Sequence, residues 1–440
     1  MMRFHLAVYR WAWHLLLAPA LFLNGLDRRL RAMTGIGFIP GTWRVTERAG
    51  AGPGARPAGS AGKRALWLHC ASLGEAKGMW AFTLSLAEAD DIILTANTHD
   101  GAAFLERQCA VFSKSSFAAA RRIVVSIAPF DHPSVVGRFL ERHGVRGLCL
   151  YEVELWPHYL SGCRERDLPV ALVSGRLTEK AYALYRRFGG AGARLLDGLA
   201  WIQAQSPEDA ERFRSLTTAE VCLGFDFKAA HYLRHRDLPE TIPPQPRFLG
   251  AASRFAFVSL HFSELTLLRP GLARLMERFD LVVFPRKLAE VNRFRSVLEP
   301  MGFETHSRNP NARHLLVDAL GLVEERLPEC GSVFVGGSLI PLGCHNLWEP
   351  LLVGAQIRFG PYFENQRTWA GLLLECGIAE VVRDPAALGA CPSPSPENAT
   401  ACATLVQDLR QDLESALTDG KRRIFVTFYP NVNARTAAQA

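Results

Sequence analysis

Short apolar runs alternate with amphipathic stretches along most of the chain beyond position 63. Apolar runs rich in β-branched residues predict buried strands, and the stretches between them predict helices. One of these helices has a clear start, because Ser206 is a typical N-cap and Pro207 suits the first helical position. The predicted strands form two series, the first at 65–70, 91–96, 122–127, 146–151, 169–174, 200–205 and 220–224, and the second at 247–252, 280–285, 314–318, 332–336, 355–360 and 379–383.

Two breaks in this pattern divide the chain. Residues 49–62 are nearly all Gly, Ala and Pro, which is typical of a flexible connector, and prolines cluster again at 236–246. Strand–helix alternation on both sides of the second break predicts two Rossmann-like, doubly wound α/β domains, at 63–238 and 247–440. Ligands of such sheets bind outside the carboxyl ends of the strands, so we expect the two domains to face each other across a cleft.

The N-terminal segment has the pattern of a membrane-associated helix. Residues 6–25 form an apolar run, interrupted by single polar residues, of about the ~20 residues that a bilayer span requires. Three arginines at 28–31 follow it, and such a basic flank favours a cytoplasmic location of the next domain and attracts anionic lipids. We predict that residues 1–48 are an anchor helix with its flank, contacting the membrane through 6–31. The alternative is an amphipathic helix packed on the first domain.

Composition narrows the class of protein. Of the 440 residues, 50 are Lys or Arg and 43 are Asp or Glu, and this net charge of +7 is too diffuse to indicate nucleic-acid binding. A hydrophobic content of 48% with 21% charged residues excludes a disordered chain and a polytopic membrane protein. The ten cysteines are dispersed without metal-ligand spacing, which indicates small core residues in a reducing compartment and no structural zinc.

The first candidate for chemistry is the sequence S-L-G-E, from Ser72 to Glu75, directly after the first predicted strand. Its small residues, among them Gly74, allow a helix to begin there with free backbone N–H groups. Glu75 would then be placed to take a proton from a hydroxyl group. The alternative is an acidic residue that only complements the helix dipole.

A second candidate, Y-E-V-E-L-W-P at 151–157, follows the fourth strand. Its carboxylates Glu152 and Glu154 would share one face if the strand continued. Alternatively, one of them is solvated and the other caps the next helix.

The second domain has two further candidates. Arg286, in F-P-R-K at 284–287, would bind a phosphate or carboxylate, unless it and Lys287 are simply solvated. Gly336, Gly337 and Ser338 form a turn that would bring backbone N–H groups close to a ligand anion.

About ten residues after that turn, Asn346 and Glu349 stand three apart at an apparent helix start. On one helical face, Glu349 would accept hydrogen bonds from ribose hydroxyls and Asn346 would contact phosphate or base. An ordinary glycine turn followed by a capped helix is the alternative.

Together these motifs resemble a known family, the 3-deoxy-D-manno-octulosonic acid (Kdo) transferases of lipid A biosynthesis, which use CMP-Kdo. The resemblance covers roughly residues 65–365 and is carried, in family order, by S-L-G-E, P-F-D at 129–131, E-V-E-L-W-P, S-G-R-L-T at 174–178, A-Q-S-P-E-D-A-E-R-F at 204–213, P-R at 285–286 and the GGS…HN..EP block. It implies a GT-B architecture without a metal or other cofactor. The implied activity is transfer of Kdo from CMP-Kdo to a lipid A precursor (lipid IVA) at the cytoplasmic side of the inner membrane, in lipopolysaccharide core biosynthesis.

The resemblance also implies roles for individual residues. Glu75 would be the general base, and Glu152 with Lys228 would stabilise the transition state. Ser72, Gly74, Glu154, Gly336, Gly337 and Ser338 are further cleft candidates. The residues implied to bind CMP are Pro285, Arg286, Leu320, Gly321, Leu322, Asn346, Leu347, Trp348 and Glu349.

The chain departs from the family pattern in places. Lys228 lies in G-F-D-F-K, displaced from the lysine of the family's Leu-Lys-Phe-Asp, and a Thr-His element expected after the first strand of the second domain reads Ser253–Arg254. Two other functions therefore stay open: a GT-B transferase with a different nucleotide sugar, such as a UDP donor, and a catalytically silent lipid-binding relative.

Overall fold

The computed structural model describes residues 65–86, 91–112, 123–187, 195–233 and 254–429. They fall into two compact units, divided between His231 and Tyr232, and each unit is built on a parallel sheet of seven strands. The predicted pair of doubly wound parallel α/β domains is therefore confirmed.

The sheet of the first unit has the strand order β3-β2-β1-β4-β5-β6-β7. All six residues of β1 are buried, which explains why its sequence is apolar at every position except His69 rather than alternating. The order reverses between β1 and β4, and this switch point is where such sheets bind ligands. The strands are β1 (Ala65–Cys70), β2 (Ile92–Ala96), β3 (Ile123–Ile127), β4 (Val145–Tyr151), β5 (Val170–Gly175), β6 (Trp201–Ala204) and β7 (Glu220–Leu223).

Helices connect these strands, and proline often marks their starts. The predicted cap at Ser206 is confirmed, because its Oγ accepts a hydrogen bond from Asp209 N at 3.1 Å and Pro207 is the first helical residue. The helices along this part of the chain are α1 (Leu73–Ser85), α2 (His99–Phe112), α3 (Pro133–His143), α4 (Pro157–Arg164), α5 (Glu179–Arg187), α6 (Pro207–Arg214) and α7 (Ala230–Leu233), with a 3₁₀ turn at Phe227–Ala229.

The second unit has a related topology, with the strand order β10-β11-β9-β8-β12-β13-β14, its switch point between β8 and β12, and β11 inserted between β9 and the edge strand β10. The strands are β8 (Arg254–Leu260), β9 (Asp280–Pro285), β10 (Glu304–Thr305), β11 (Leu315–Leu316), β12 (Cys330–Val335), β13 (Gln356–Phe359) and β14 (Ala379–Val381). The helices are α8 (Phe262–Arg278), α9 (Val291–Leu298), α10 (Val323–Arg326), α11 (Trp348–Leu352), α12 (Arg367–Glu375) and α13 (Pro396–Phe428).

The start of the second sheet differs from the sequence prediction. The strand predicted at 247–252 lies outside the described residues, and β8 is a different apolar run, Arg254–Leu260. The placement of the Thr-His element at Ser253–Arg254 is therefore wrong, because Arg254 begins the strand and the residue that follows it is His261. Two neighbouring apolar runs, only one of which could be the central strand, explain the error.

The C-terminal helix also differs from the prediction, which placed the whole of 247–440 in the second domain. Residues from Asp412 onward belong to the first unit, where Gln203 Nε2 donates a hydrogen bond to Ala416 O at 2.9 Å. The helix α13 has 33 residues, so it is about 50 Å long and does not end within one unit.

Two N-terminal predictions stay untested. The anchor helix within 1–48 and the connector at 49–62 lie outside the described residues. Among the helices of the described ranges, none combines enough length and apolar character to cross a membrane.

Candidate active site

Glu75 lies in the first turn of α1, at the carboxyl end of β1. Ser72 is the N-cap: its Oγ accepts from Glu75 N at 3.4 Å and donates to Glu75 Oε1 at 2.9 Å. The backbone N–H of Ala71 donates to Glu75 Oε2 at 2.7 Å. Ser72 and Glu75 therefore cap the start of α1 together, as in a capping box except that Ala71 N rather than Ser72 N donates to the glutamate, and Glu75 is only 8% exposed.

The surroundings of Glu75 make it a better proton acceptor than a solvated carboxylate. Burial raises its pKa, and the negative charge of Glu152 acts in the same direction. The hydrogen bonds from Ala71 and Ser72 and the charge of Lys228 oppose this rise without cancelling it. A higher pKa strengthens the carboxylate as a general base.

Glu152 forms an ion pair with Lys228. The strand β4 ends at Tyr151, and Glu152 has a φ of +53°, a left-handed conformation that non-glycine residues rarely adopt. The strand therefore does not continue to Glu154, so the condition for a shared face is not met, and the two carboxylates have different partners.

Lys228 belongs to the candidate site in spite of its displaced sequence position. It lies in the 3₁₀ turn that follows Asp226, whose Oδ1 accepts a hydrogen bond from Lys228 N at 3.0 Å. A Cβ placed on Gly74 would be 3.9 Å from Lys228 Cε, so the lysine side chain passes next to the start of α1. The structure thus brings Glu75, Glu152 and Lys228 together.

Glu154 is held by two donors. Its Oε2 accepts hydrogen bonds from Trp156 Nε1 at 2.8 Å and from Asn97 Nδ2 at 3.1 Å. Burial raises its pKa to about 7, and the charges of Glu75 and Glu152 act in the same direction. Glu154 is therefore close to half-protonated at neutral pH, and it does not cap the next helix, as one alternative from the sequence required.

Two acidic residues from the sequence motifs stabilise the loops around these carboxylates. Asp131, of P-F-D, accepts hydrogen bonds through Oδ1 from His158 N at 2.9 Å and Tyr159 N at 3.1 Å, in the first turn of α4. It thereby fixes the end of the E-V-E-L-W-P loop. Asp209 accepts from Leu177 N at 2.7 Å, which joins the S-G-R-L-T and S-P-E-D motifs.

In the second unit, backbone N–H groups of the glycine turn donate hydrogen bonds to other groups of the protein. The carboxylate of Glu264, a fully buried residue of α8, accepts hydrogen bonds from Gly337 N at 2.7 Å and Leu339 N at 2.9 Å, and Gly336 N donates to Val258 O at 2.8 Å. The prediction that this turn offers its N–H groups to a ligand anion is therefore wrong.

The same turn requires glycine for close packing. A Cβ on Gly336 would be 2.4 Å from Ser259 O, and one on Gly337, where φ is +80°, would be 2.4 Å from Gly343 O. Ser338 Oγ donates to Val335 O at 2.6 Å and accepts from Gly360 N at 2.8 Å. Ser338 thereby links the end of β12 to the residue that follows β13.

Arg286 lies beside a pair of histidines. It is exposed, and its backbone N–H donates to Leu260 O at 2.9 Å, directly after Pro285 at the end of β9. The Nε2 atoms of His261 and His345 are 2.8 Å apart. Burial lowers the pKa of His345 to about 4, and the charge of Arg286 adds to this effect.

The remaining predicted CMP residues gather around the start of α11. Asn346 is not on a helical face, because the helix begins at Trp348 and Asn346 Oδ1 accepts a hydrogen bond from Trp348 N at 3.0 Å. Leu347 is buried, and the indole of Trp348 stacks on Tyr232, with 5.8 Å between ring centroids. Burial raises the pKa of Tyr232, and the charges of Glu349 and Glu324 add to this effect.

The segment Leu320–Gly321–Leu322 leads into α10, close in sequence to Glu324. Leu320 is 84% exposed and Gly321 has a φ of +82°. This segment can offer a nucleotide only backbone groups and apolar contacts.

Four residues with contacts in these sites were not predicted from the sequence: Asn97, Asp226, His261 and Glu264. Three of them could have been found from the position of the strands, because Asn97, His261 and Glu264 all follow within a few residues of a strand's carboxyl end. Among the described residues, no group of three His, Cys, Asp or Glu side chains is arranged to hold a metal ion, and the ten cysteines are free thiols.

The chain is similar in sequence to proteins of known families. Residues 43–230 match the sequence profile of the 3-deoxy-D-manno-octulosonic-acid transferase (Kdo transferase) family. The chain is 28% identical to the 3-deoxy-D-manno-octulosonic acid transferase of Bordetella pertussis, over 73% of this chain and 78% of that protein. It is 24% identical to a bifunctional glycosyltransferase/methyltransferase of Fusobacterium nucleatum over 68% of its own length, and this match spans about half, 48%, of that relative.

Among solved structures, the C-terminal CMP-Kdo binding domain of WaaA from Acinetobacter baumannii matches 39% of this chain and 91% of that domain, with a TM-score of 0.30 and 18% identity. The resemblance inferred from the motifs is confirmed by the sequence matches: residues 43–230 match the Kdo transferase profile, and the similarity to the Bordetella pertussis transferase extends over 73% of the chain.

Proposed function

We propose that this chain is a glycosyltransferase that moves Kdo from CMP-Kdo to the sugar of a lipid A precursor, in lipopolysaccharide core biosynthesis. One observation carries the proposal: a domain that matches the Kdo transferase profile places a buried carboxylate, Glu75, next to the Glu152–Lys228 ion pair at the switch point of its sheet. General-base chemistry on a hydroxyl needs such a carboxylate.

On the acceptor side, Glu75 takes the proton of the attacking hydroxyl. The hydroxyl oxygen then bonds to the anomeric carbon of Kdo while the bond from that carbon to the phosphate of CMP breaks. The anomeric carbon gains positive charge as the bond breaks, and the carboxylate of Glu152 stabilises it. Lys228 orients Glu152 and counters the negative charge of the sugar acid.

On the donor side, the CMP moiety binds to the second unit. Arg286 supplies a cation for the phosphate, and the Tyr232–Trp348 stack with Glu349 supplies a flat apolar surface and hydrogen-bond acceptors for the nucleoside. Asn346 Oδ1 is used by the start of α11, so this residue would contact the ligand through its amide nitrogen.

The proposal extends to the architecture, the cofactor requirement and the membrane attachment of the chain. The two units would form a GT-B enzyme, and the reaction would need no metal or other cofactor. Residues 6–31 would attach the chain to the cytoplasmic side of the inner membrane, where the lipid-borne acceptor lies.

Mass analysis of lipid products tests the proposal. The purified full-length chain is incubated with a lipid A precursor and either CMP-Kdo or a UDP-sugar. We expect the lipid to gain the mass of Kdo only with CMP-Kdo. Transfer only from the UDP-sugar would show a different transferase, and binding of lipid without transfer from any donor would show a catalytically silent relative.

A further inference from the structure

Two histidines meet at the switch point of the second sheet. His261 directly follows β8, and His345 lies in the loop after β12, where its backbone N–H donates to Gly336 O at 3.2 Å. The strands β8 and β12 are the neighbours between which the strand order reverses. Ligands of doubly wound sheets bind in the crevice at this point. The histidine pair therefore lies where a ligand of this sheet would bind.

The geometry of the pair limits how many hydrogens its two Nε2 atoms can hold. The rings are stacked, with 5.1 Å between centroids and 18° between planes, and their Nε2 atoms are 2.8 Å apart. At that distance one Nε2 must carry the hydrogen and the other must offer its lone pair. Without ligand, the two Nε2 atoms therefore hold one hydrogen between them, in an N–H···N hydrogen bond.

Burial and the neighbouring groups disfavour a second proton between the two Nε2 atoms. Arg286 follows β9 on the other side of β8, and its positive charge, after burial, lowers the pKa of His345. The nearby carboxylate of Glu264 on α8 is occupied by backbone donors, because its oxygens accept hydrogen bonds from His261 N and from the glycine turn. The thiol of Cys344 is neutral, since burial raises its pKa to about 12. An anion beside Arg286 would remove the main repulsion against a second proton.

We propose that His261, His345 and Arg286 form a phosphate-binding subsite in which the histidine pair takes up one proton from solvent when the phosphate binds. The identification of this phosphate as that of the CMP donor rests on the proposed function. On binding, the N–H···N bond breaks, the added proton occupies the second Nε2, and both rings donate to phosphate oxygens. When the bond between Kdo and CMP breaks, the phosphate gains a negative charge, and the protonated pair stabilises it.

Calorimetry of CMP binding to the full-length chain tests the subsite. Titrations at pH 7.5 in buffers of different ionisation enthalpy count the protons taken up, and at this pH the phosphate of CMP is largely a dianion. We expect uptake approaching one proton, and binding that tightens as the pH falls from 8 to 7. His345→Asn and His261→Asn should each abolish the uptake and weaken binding about tenfold. His306→Asn, beyond the edge strand β10, is the matched control and should change neither.

A second titration with inorganic phosphate separates this inference from the proposed function. Phosphate binding with proton uptake that His345→Asn abolishes supports the subsite even if CMP does not bind, in which case the proposed donor is wrong. CMP binding without proton uptake, or with uptake retained in both histidine variants, overturns the subsite and leaves the donor standing. Absence of binding by CMP and by phosphate also overturns it. Circular dichroism of each variant checks that the fold is kept.

Discussion

At the scale of single residues, Glu75 combines a structural and a chemical property. Its carboxylate helps to cap α1 by accepting hydrogen bonds from Ala71 N and Ser72 Oγ. The same carboxylate is buried and has a raised pKa, as a general base requires. A glutamine also completes a capping box but cannot accept the proton of a hydroxyl, so one substitution separates the two properties.

We therefore expect Glu75→Gln to lower kcat by about 10²- to 10⁴-fold while the free energy of unfolding changes by less than about 1 kcal/mol. Initial rates of Kdo transfer and urea unfolding measure the two effects. Glu141→Gln, which removes a carboxylate from an exposed ion pair with Arg166, should leave the rate unchanged. If Glu75→Gln kept full activity, Glu75 would be a helix cap only.

The raised pKa of Glu154 makes the stability of the protein depend on pH. Its pKa is raised to about 7 in the folded protein from an ordinary value of 4.5, mainly because the side chain is buried. The folded state therefore binds more protons than the unfolded state between about pH 4.5 and 7, and stability falls as the pH rises through this window. The penalty is complete above pH 7 and amounts to about 3 kcal/mol.

The variant Glu154→Gln lacks this penalty and keeps an oxygen that accepts from Asn97 and Trp156. We expect it to be more stable than the parent by about 3 kcal/mol at pH 8, and by less than about 1 kcal/mol at pH 5. Urea unfolding of both proteins at the two pH values measures the difference. A difference that does not change with pH would mean that Glu154 is ionised throughout.

Sequence could predict the positions of single residues better than their partners. Glu75 and Arg286 were identified because each directly follows a strand, and both are at strand ends in the structure. The partners of Glu154 and of the glycine turn were not predictable, since Asn97 is 57 residues from Glu154 and Glu264 is 73 residues from Gly337. Contacts between such distant residues depend on which strands become neighbours.

At the scale of secondary-structure elements, the packing of α1 on β4 depends on one glycine. A Cβ on Gly78 would be 2.2 Å from Tyr151 Oη and 2.7 Å from its Cζ. Tyr151 is fully buried at the end of β4, so its ring cannot move into solvent. Gly78 thus lets α1 approach the strand that ends next to Glu152.

We expect Gly78→Ala to lower the free energy of unfolding by about 1–3 kcal/mol, because overpacking outweighs the better helix propensity of alanine. Gly371→Ala, within α12, is the matched control: no atom lies within 4 Å of its added Cβ, so the variant should gain about 0.5–1 kcal/mol. Thermal or urea unfolding measures both. A neutral or stabilising effect at Gly78 would contradict the close approach of α1 to Tyr151.

The elements themselves were largely predictable. The apolar runs predicted β1 at 65–70 and β9 at 280–285 with the bounds that the structure has. The error at β8 arose where two apolar runs stand close together, since periodicity alone does not say which one enters the sheet. Local pattern defines a strand, but the packing of the whole sheet selects among neighbouring runs.

At the scale of the whole molecule, α13 makes the first unit depend on the C-terminal part of the chain. Leu413, Leu417 and Ile424 are all buried. Gln203, a fully buried residue of β6, donates to Ala416 O, and Trp201 Nε1 donates to Thr427 Oγ1 at 3.1 Å. This division could not be predicted from the sequence, because the apolar pattern of a helix is the same whichever sheet it covers.

Removal of residues 412–440 should therefore destabilise the first unit rather than the second. Loss of three buried aliphatic side chains alone costs on the order of 5 kcal/mol, and Gln203 and Trp201 each lose a hydrogen-bond acceptor. Limited proteolysis with mass mapping should then show the earliest cleavages within 65–231, with transfer activity lost. A chain that lacks only 430–440 is the control and should resist proteolysis in that region as the parent does. If the shortened chain were instead cleaved first within 254–411, α13 would belong to the second unit throughout, as its position in the sequence suggested.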